Sequence, residues 1–412
     1  MIRKPRWYER IKWAILLILV SSFYMYNTSS FSSLSIVLFS GLLFCVHVVQ
    51  NKGIIRVPLT AFHVMVLGFS LFCFASALGA NDSSAAISKG VTVLEILVCM
   101  SIVYWCFLDK LSARDLLTAI MWSGVIVAIY SIYYYGVPTF FAMVTGSTRI
   151  GNDYANSNAI GMWSAICVVL FCYFILNEGW KWRYCMIVMP IILVAMSQSR
   201  TALIETIVGI LMVLFFRYRD QRNFFNSLFK VLFALCAAFC VLMLMSQINV
   251  FSGLTERMQS LFNYYKGNEV SEGSVIQRSL YIQAGLAQLK KTPIFGIGIG
   301  NTYQVTLAAT GHNTYLHNNF IELLTAGGIV GFGLYYVSVI YLIVKLLPCA
   351  LRKNLVSDAC LIILFIHTIS DYGTVSYYLK GHYFILVTCF LQVYLNNMVR
   401  GNQDENHIDD CD

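Results

Sequence analysis

The sequence predicts an all-α, polytopic membrane protein, and three observations carry that expectation. Of its 412 residues 58% are hydrophobic and only 12% charged, with a mean hydropathy of +0.69, whereas soluble domains carry roughly 25% charged residues. Apolar runs close to the length that crosses a bilayer, about 20 residues, recur along the whole chain. The alternating segments of a membrane β-barrel are absent.

The runs divide the chain into about twelve expected spans, each set by where an apolar stretch meets a polar loop. They lie near residues 12–27, 31–49, 58–79, 87–108, 116–136, 158–177, 184–197, 201–216, 227–246, 319–347, 357–370 and 380–398. Together they form a single membrane domain, residues 1–412. A large polar loop at 247–317 contains short amphipathic helices, and the acidic end at 401–412 reads as a short disordered tail.

Charge gives the sidedness. Arg3, Lys4, Arg6, Arg10 and Lys12 precede or open the first span. Every second loop then collects Lys and Arg, including Lys52 and Arg56, Lys110 and Arg114, Lys181 and Arg183, Arg217 and Arg219, and Arg352 and Lys353. Basic loops stay cytoplasmic, so both termini are expected inside. The net charge of +8 is therefore topological and does not point to nucleic acid. The chain has 13 cysteines, but they lie mostly within apolar runs and lack CxxC spacing. They read as small buried hydrophobes rather than disulfides or metal ligands.

Basic residues on the expected outer side need another explanation. Arg149 lies in GSTRIGNDYANSNAIG, residues 146–161; a guanidinium there offers bidentate donors to phosphate, or simply anchors a solvated loop. Arg200 lies in the short turn SQSRTALIE, residues 197–205. It is either functional or a snorkelling residue at a helix end. Arg278 opens QRSLYIQAGL, where Leu280, Ile282, Leu286 and Leu289 suggest an interfacial amphipathic helix. The GIGIGN run at 296–301 fits neither a phosphate loop nor a dinucleotide turn, and reads as a tight turn with close backbone packing. Beyond it, GHNTYLHNNFIELLTAGGIVG, residues 311–331, carries His312 and His317. Their spacing disfavours a helical metal pair, and no HExxH is present. A histidine titrates near neutrality and can serve as a base; the plainer reading is two headgroup-level histidines. Ala326, Gly327, Gly328 and Gly331 would let another helix approach closely.

Taken together these segments resemble the O-antigen ligase and polymerase superfamily of bacterial envelope glycosyltransferases. His317-Asn318, nine residues and then Gly328-Ile-Val-Gly331 resemble the family signature at the start of a late span. Arg278 with Leu280, Gly285-Leu286, Pro293 and the glycine turn resembles its arginine-bearing segment, and Ser199-Arg200-Thr201-Ala202 its short arginine turn. Arg149, Gly151, Asn158 and Gly161 are similar to its earlier loop. Phe332 departs from the pattern of ligases, which often have Gly, Thr or Tyr there.

The resemblance implies a GT-C-like enzyme of the bacterial inner membrane. Such enzymes move a glycan from undecaprenyl diphosphate to an acceptor hydroxyl on the periplasmic face, without nucleotide, metal or other cofactor. Fixed arginines would stabilise charge on the leaving diphosphate, and Arg149, Arg200 and Arg278 are expected to do so, Arg278 foremost. His317 is the expected general base and direct displacement would invert the anomeric centre. His312, Tyr315 and Asn318 are expected to position the sugar or the base. The expected partners are the lipid-linked glycan, a lipid or glycan acceptor, the membrane and a chain-length regulator. Phe332 and the Asn-rich loop favour polymerase over ligase. A lipid-linked oligosaccharide transporter is the reading from another class, and would rest on charges within spans, such as Lys89, Glu95 and His367.

Overall fold

The computed structural model describes residues 7–25, 29–108, 113–145, 148–151, 153–219, 252–266 and 273–409. Among these every regular element is a helix. In chain order they are α1 (Trp7–Ser22), α2 (Ser29–Gln50), α3 (Ala61–Ala75), α4 (Ser83–Leu108), α5 (Ala113–Tyr135), α6 (Val137–Thr145), α7 (Ser157–Glu178) and α8 (Val188–Ser197). There follow α9 (Arg200–Tyr218), α10 (Ser252–Tyr265), α11 (Gly273–Lys291), α12 (Thr302–Thr310), α13 (Asn319–Leu351), α14 (Leu355–Ser370) and α15 (Lys380–Asp409).

Among the described residues, 7 helices are long and apolar enough to cross a bilayer, namely α2, α3 with the turn after it, α4, α5, α7, α9 and α13. Trp182–Ser197 and Leu355–Ser370 are apolar but shorter. The chain is thus a polytopic helical membrane protein. The span expected at 227–246 lies outside the described residues. The short α6 was not foreseen. At the end of the chain α15 continues to Asp409, and no proline interrupts it.

Cap residues written into the sequence start several helices. The side chains of Asn156, Ser199, Asn318 and Asn354 accept backbone N–H groups at the starts of α7, α9, α13 and α14, filling donors that a helix start leaves open. α7 packs on α8 and α9, α3 on α4, and α13 on α3 and α14. The outward apolar residues, such as Leu34, Val64, Val98, Ile129, Ile329 and Val344, suit a lipid solvent, which takes no backbone polar group but accepts any aliphatic side chain.

Loops expected on one side of the membrane do meet at one end of the bundle. Asn301 binds the backbone of Asp82, Ile150 N donates to Met196 O, and Asn319 N donates to Asp371 O. The basic loops meet at the other end, where Arg219 pairs with Asp358 at 3.0 Å and Arg114 with Glu178.

The long helix α13 is not continuous. Gly328 takes φ 60°, ψ −164° and breaks it. A break inside a membrane leaves backbone groups that only protein can satisfy, and the glycine turn satisfies them. Ile297 N and Gly298 N donate to Thr325 O and Ala326 O at 3.2 and 2.9 Å. Ile329 N and Val330 N donate to Pro293 O and Ile294 O at 2.9 and 3.1 Å. The small residues expected to admit another helix thus admit a turn at Gly328, while Gly327 and Gly331 do face Phe72 of α3. A Cβ at Gly328 would sit 2.2 Å from Ile294 O. Gly328→Val is therefore expected to lower the midpoint of thermal unfolding in detergent. Its positive φ with an extended ψ is open almost only to glycine and alone costs a valine about 1–3 kcal/mol, and the clash adds to that. Gly333→Ala, where the added Cβ meets nothing within 4 Å, should leave the midpoint unchanged; equal loss in both would remove the turn's special role.

Candidate functional site

His317 sits just before α13, in the left-handed region at φ 56°. Non-glycine residues rarely adopt this conformation, and where they do the surroundings must enforce it. Two devices enforce it here. Asn318 accepts Ile321 N at 3.1 Å and caps α13. Glu322, buried in the first turn, accepts Leu316 N at 3.0 Å and the Thr302 hydroxyl at 2.5 Å. The 311–318 segment is thereby held between α12 and α13.

The His317 ring stacks on Tyr281 of α11, with centroids 5.9 Å apart, and lies 4.1 Å from the Tyr315 ring. Its Nε2 is 3.5 Å from the Thr314 hydroxyl. Burial, and then the positive charge of Arg278, push its pKa down to about 4. At neutral pH the imidazole is therefore uncharged and able to accept a proton. Arg278 also acts on Tyr315. So α11 brings Arg278 into electrostatic range of both rings. The buried side of that helix carries Tyr281 and Gly285, while Leu280 and Leu286 are exposed, as an interfacial helix requires.

The other two expected arginines gather around the 197–200 turn. Arg149 Nε donates to Ser197 O at 2.8 Å, and its Nη2 to Asn158 Oδ1 at 2.7 Å. Arg200 opens α9 from the same turn, capped by Ser199. Gly161 packs so closely on Ser197 that a Cβ would fall 2.2 Å from its hydroxyl oxygen. Arg257 of α10 joins them, donating to Gln198 O at 3.0 Å.

The two groups flank one loop, residues 371–379. On one side Gly373 packs against Thr201, beside Arg200, leaving 2.6 Å between the Thr201 hydroxyl and any added Cβ. On the other side Asn319 N donates to Asp371 O at 2.7 Å, and Asn319 Oδ1 accepts Ser376 N and Tyr377 N. Sequence reasoning missed this loop, although its tyrosine-rich run between two spans is a visible signal. It missed two further features. Lys89 of α4 lies 3.4 Å from the centre of the Tyr378 ring, within the field of Glu322. Glu205 is fully buried in α9 and accepts the Ser370 hydroxyl at 2.6 Å.

Of the residues expected to assist, Tyr315 lies against His317 and Asn318 serves as a cap. His312 is exposed beside Gln277, with Nε2 3.4 Å from the amide nitrogen.

No curated protein matches the chain. Residues 185–336 match the family model described as O-Antigen ligase. The match spans the Arg200 turn, Arg278, His317 and the Gly328 break, and stops before the 371–379 loop. That match, over little more than a third of the chain, supports the resemblance of the signature segments to the O-antigen ligase and polymerase superfamily.

Proposed function

We propose that the protein is a glycosyltransferase that moves a glycan from undecaprenyl diphosphate to an acceptor hydroxyl at the periplasmic face of the inner membrane. The observation that carries this reading is a half-buried, uncharged His317 within the field of Arg278, in a chain whose residues 185–336 match the O-antigen ligase family model. The acceptor hydroxyl attacks the anomeric carbon and gives its proton to His317. The bond between that carbon and the diphosphate oxygen breaks, and the electron pair leaves on the diphosphate. Arg278 stabilises that charge, and Arg149 and Arg200 extend the anion-binding surface around the 371–379 loop. Attack opposite the leaving group inverts the anomeric centre.

A pKa of about 4 makes a weak base in the empty site. An arriving diphosphate screens the Arg278 charge, which raises the proton affinity of His317 as the reaction needs it. The enzyme acts as an O-antigen polymerase, with the ligase reaction as the alternative, since both use one donor site. Deleting the gene separates them. Lipopolysaccharide bearing single repeat units supports polymerase. Rough lipopolysaccharide with intact lipid-linked polymer means ligase, and unchanged lipopolysaccharide overturns both.

A further inference from the structure

Behind the 371–379 loop lies a second polar cluster, unused by the reaction above. His367 of α14, Asp371 and His382 of α15 are all buried, and one ligand atom from each lies within 4.8 Å of the others. The two Nε2 atoms face one another directly. The rings line a cavity of about 50 Å³ together with Ser370, Ser376, Tyr24 and Trp163. Asp371 is oriented by two donors: Tyr336 donates to one of its oxygens at 2.8 Å, and the Ser376 hydroxyl donates to the other. The Tyr335 hydroxyl lies 2.5 Å from His382 Nε2. The two hydrogen bonds to Asp371 are of the kind that hold a metal-ligating carboxylate in place.

A second observation points the same way. Glu205 accepts the Ser370 hydroxyl beside the cluster, and its Oε2, like His382 Nδ1, is buried without a hydrogen-bond partner. Two carboxylates taken out of water are costly unless a cation compensates them. We propose that His367, Asp371 and His382 bind a divalent transition metal of the zinc class, with Glu205 balancing its charge. Two nitrogens and one carboxylate oxygen form a set that suits zinc or cobalt rather than magnesium or calcium. Nitrogens bound to one tetrahedral zinc sit roughly 3.4 Å apart, so the two rings part on binding, into the cavity they line. The ion joins the end of α14 to the start of α15. Through Asp371 O and Asn319 N it steadies the residues that follow His317. Its role is positional, and it does not depend on the transferase reading.

The test uses the full-length protein, without a histidine tag, in detergent. It is loaded with zinc, dialysed and measured by elemental mass spectrometry. About one zinc per chain is expected, with a rise in the unfolding midpoint on zinc addition. Cobalt should give the intense visible absorption of a low-coordinate nitrogen and oxygen site, bleached by zinc. His382→Gln and Asp371→Asn should each reduce zinc affinity about 10-fold or more, and exposed His312→Gln should not. Wild-type protein that retains no more zinc than His382→Gln and gives only the weak spectrum of aqueous cobalt overturns the site. The cobalt spectrum of the wild-type protein decides the matter by itself even where a variant fails to fold.

Discussion

His317→Asn is expected to lower glycan transfer by about 10²–10⁴-fold, the usual contribution of a positioned general base, and to leave the protein folded in the membrane. The choice of asparagine follows from the backbone. At φ 56° an alanine would add roughly 1–2 kcal/mol of left-handed strain, confusing lost chemistry with lost folding. Asparagine tolerates that conformation and offers no comparable base. The ring also fills the space between Tyr281 and Tyr315, so His317→Ala should lower both transfer and the unfolding midpoint. Single-turnover transfer in nanodiscs, from a lipid-diphosphate donor to a soluble acceptor, checks the rates. Wild-type transfer by His317→Asn, with a normal midpoint, would show that the ring only packs.

The sequence made the membrane fold legible because apolar run length and loop charge are local properties. Alternation of basic loops sorted the loops into two sets, and loops of one set touch in the contacts from Asn301 to Asp82 and from Asn319 to Asp371. The resemblance grouped Arg149, Arg200 and Arg278 as one anion site; in the structure Arg278 is in range of His317, and Arg149 sits on the Arg200 turn although 48 residues separate it from Ser197. What stayed hidden is what only tertiary structure creates. GGIVG reads as a packing face, and its central glycine becomes a break only because turn 293–298 supplies the missing hydrogen bonds. Glu205 and His382 lie in apolar runs and look like isolated polar residues until α9, α14 and α15 bring them near Asp371. Asn318, expected to position the sugar or the base, caps α13 through Ile321 N, a contact that the motif alone did not reveal.

Arg278→Gln should lose about 10²–10³ in transfer rate, the scale seen when one donor to a developing anion is removed, and it should also move the pH profile. Burial is the larger cause of the low His317 pKa and the Arg278 charge the second. Removing that charge makes protonation easier, so the folded-state value rises from about 4 toward the ordinary histidine value while burial holds it below. In wild-type protein kcat/KM should stay level as pH falls from neutrality and drop only near 4; in Arg278→Gln the drop should begin at higher pH. Stability has the same sign. The unfolded chain takes up a proton near pH 6.5 and the folded one only near 4, so His317 makes the fold less stable as pH falls through that window. The window should narrow in Arg278→Gln and vanish in His317→Asn. Arg278→Lys keeps the charge but loses the bidentate fork, so it should hold the wild-type pH limb while losing rate. An acid limb identical in wild type and Arg278→Gln would separate Arg278 from His317. A raised KM with unchanged kcat would mean that Arg278 holds the donor equally before and during bond breaking, and adds nothing to the chemical step itself.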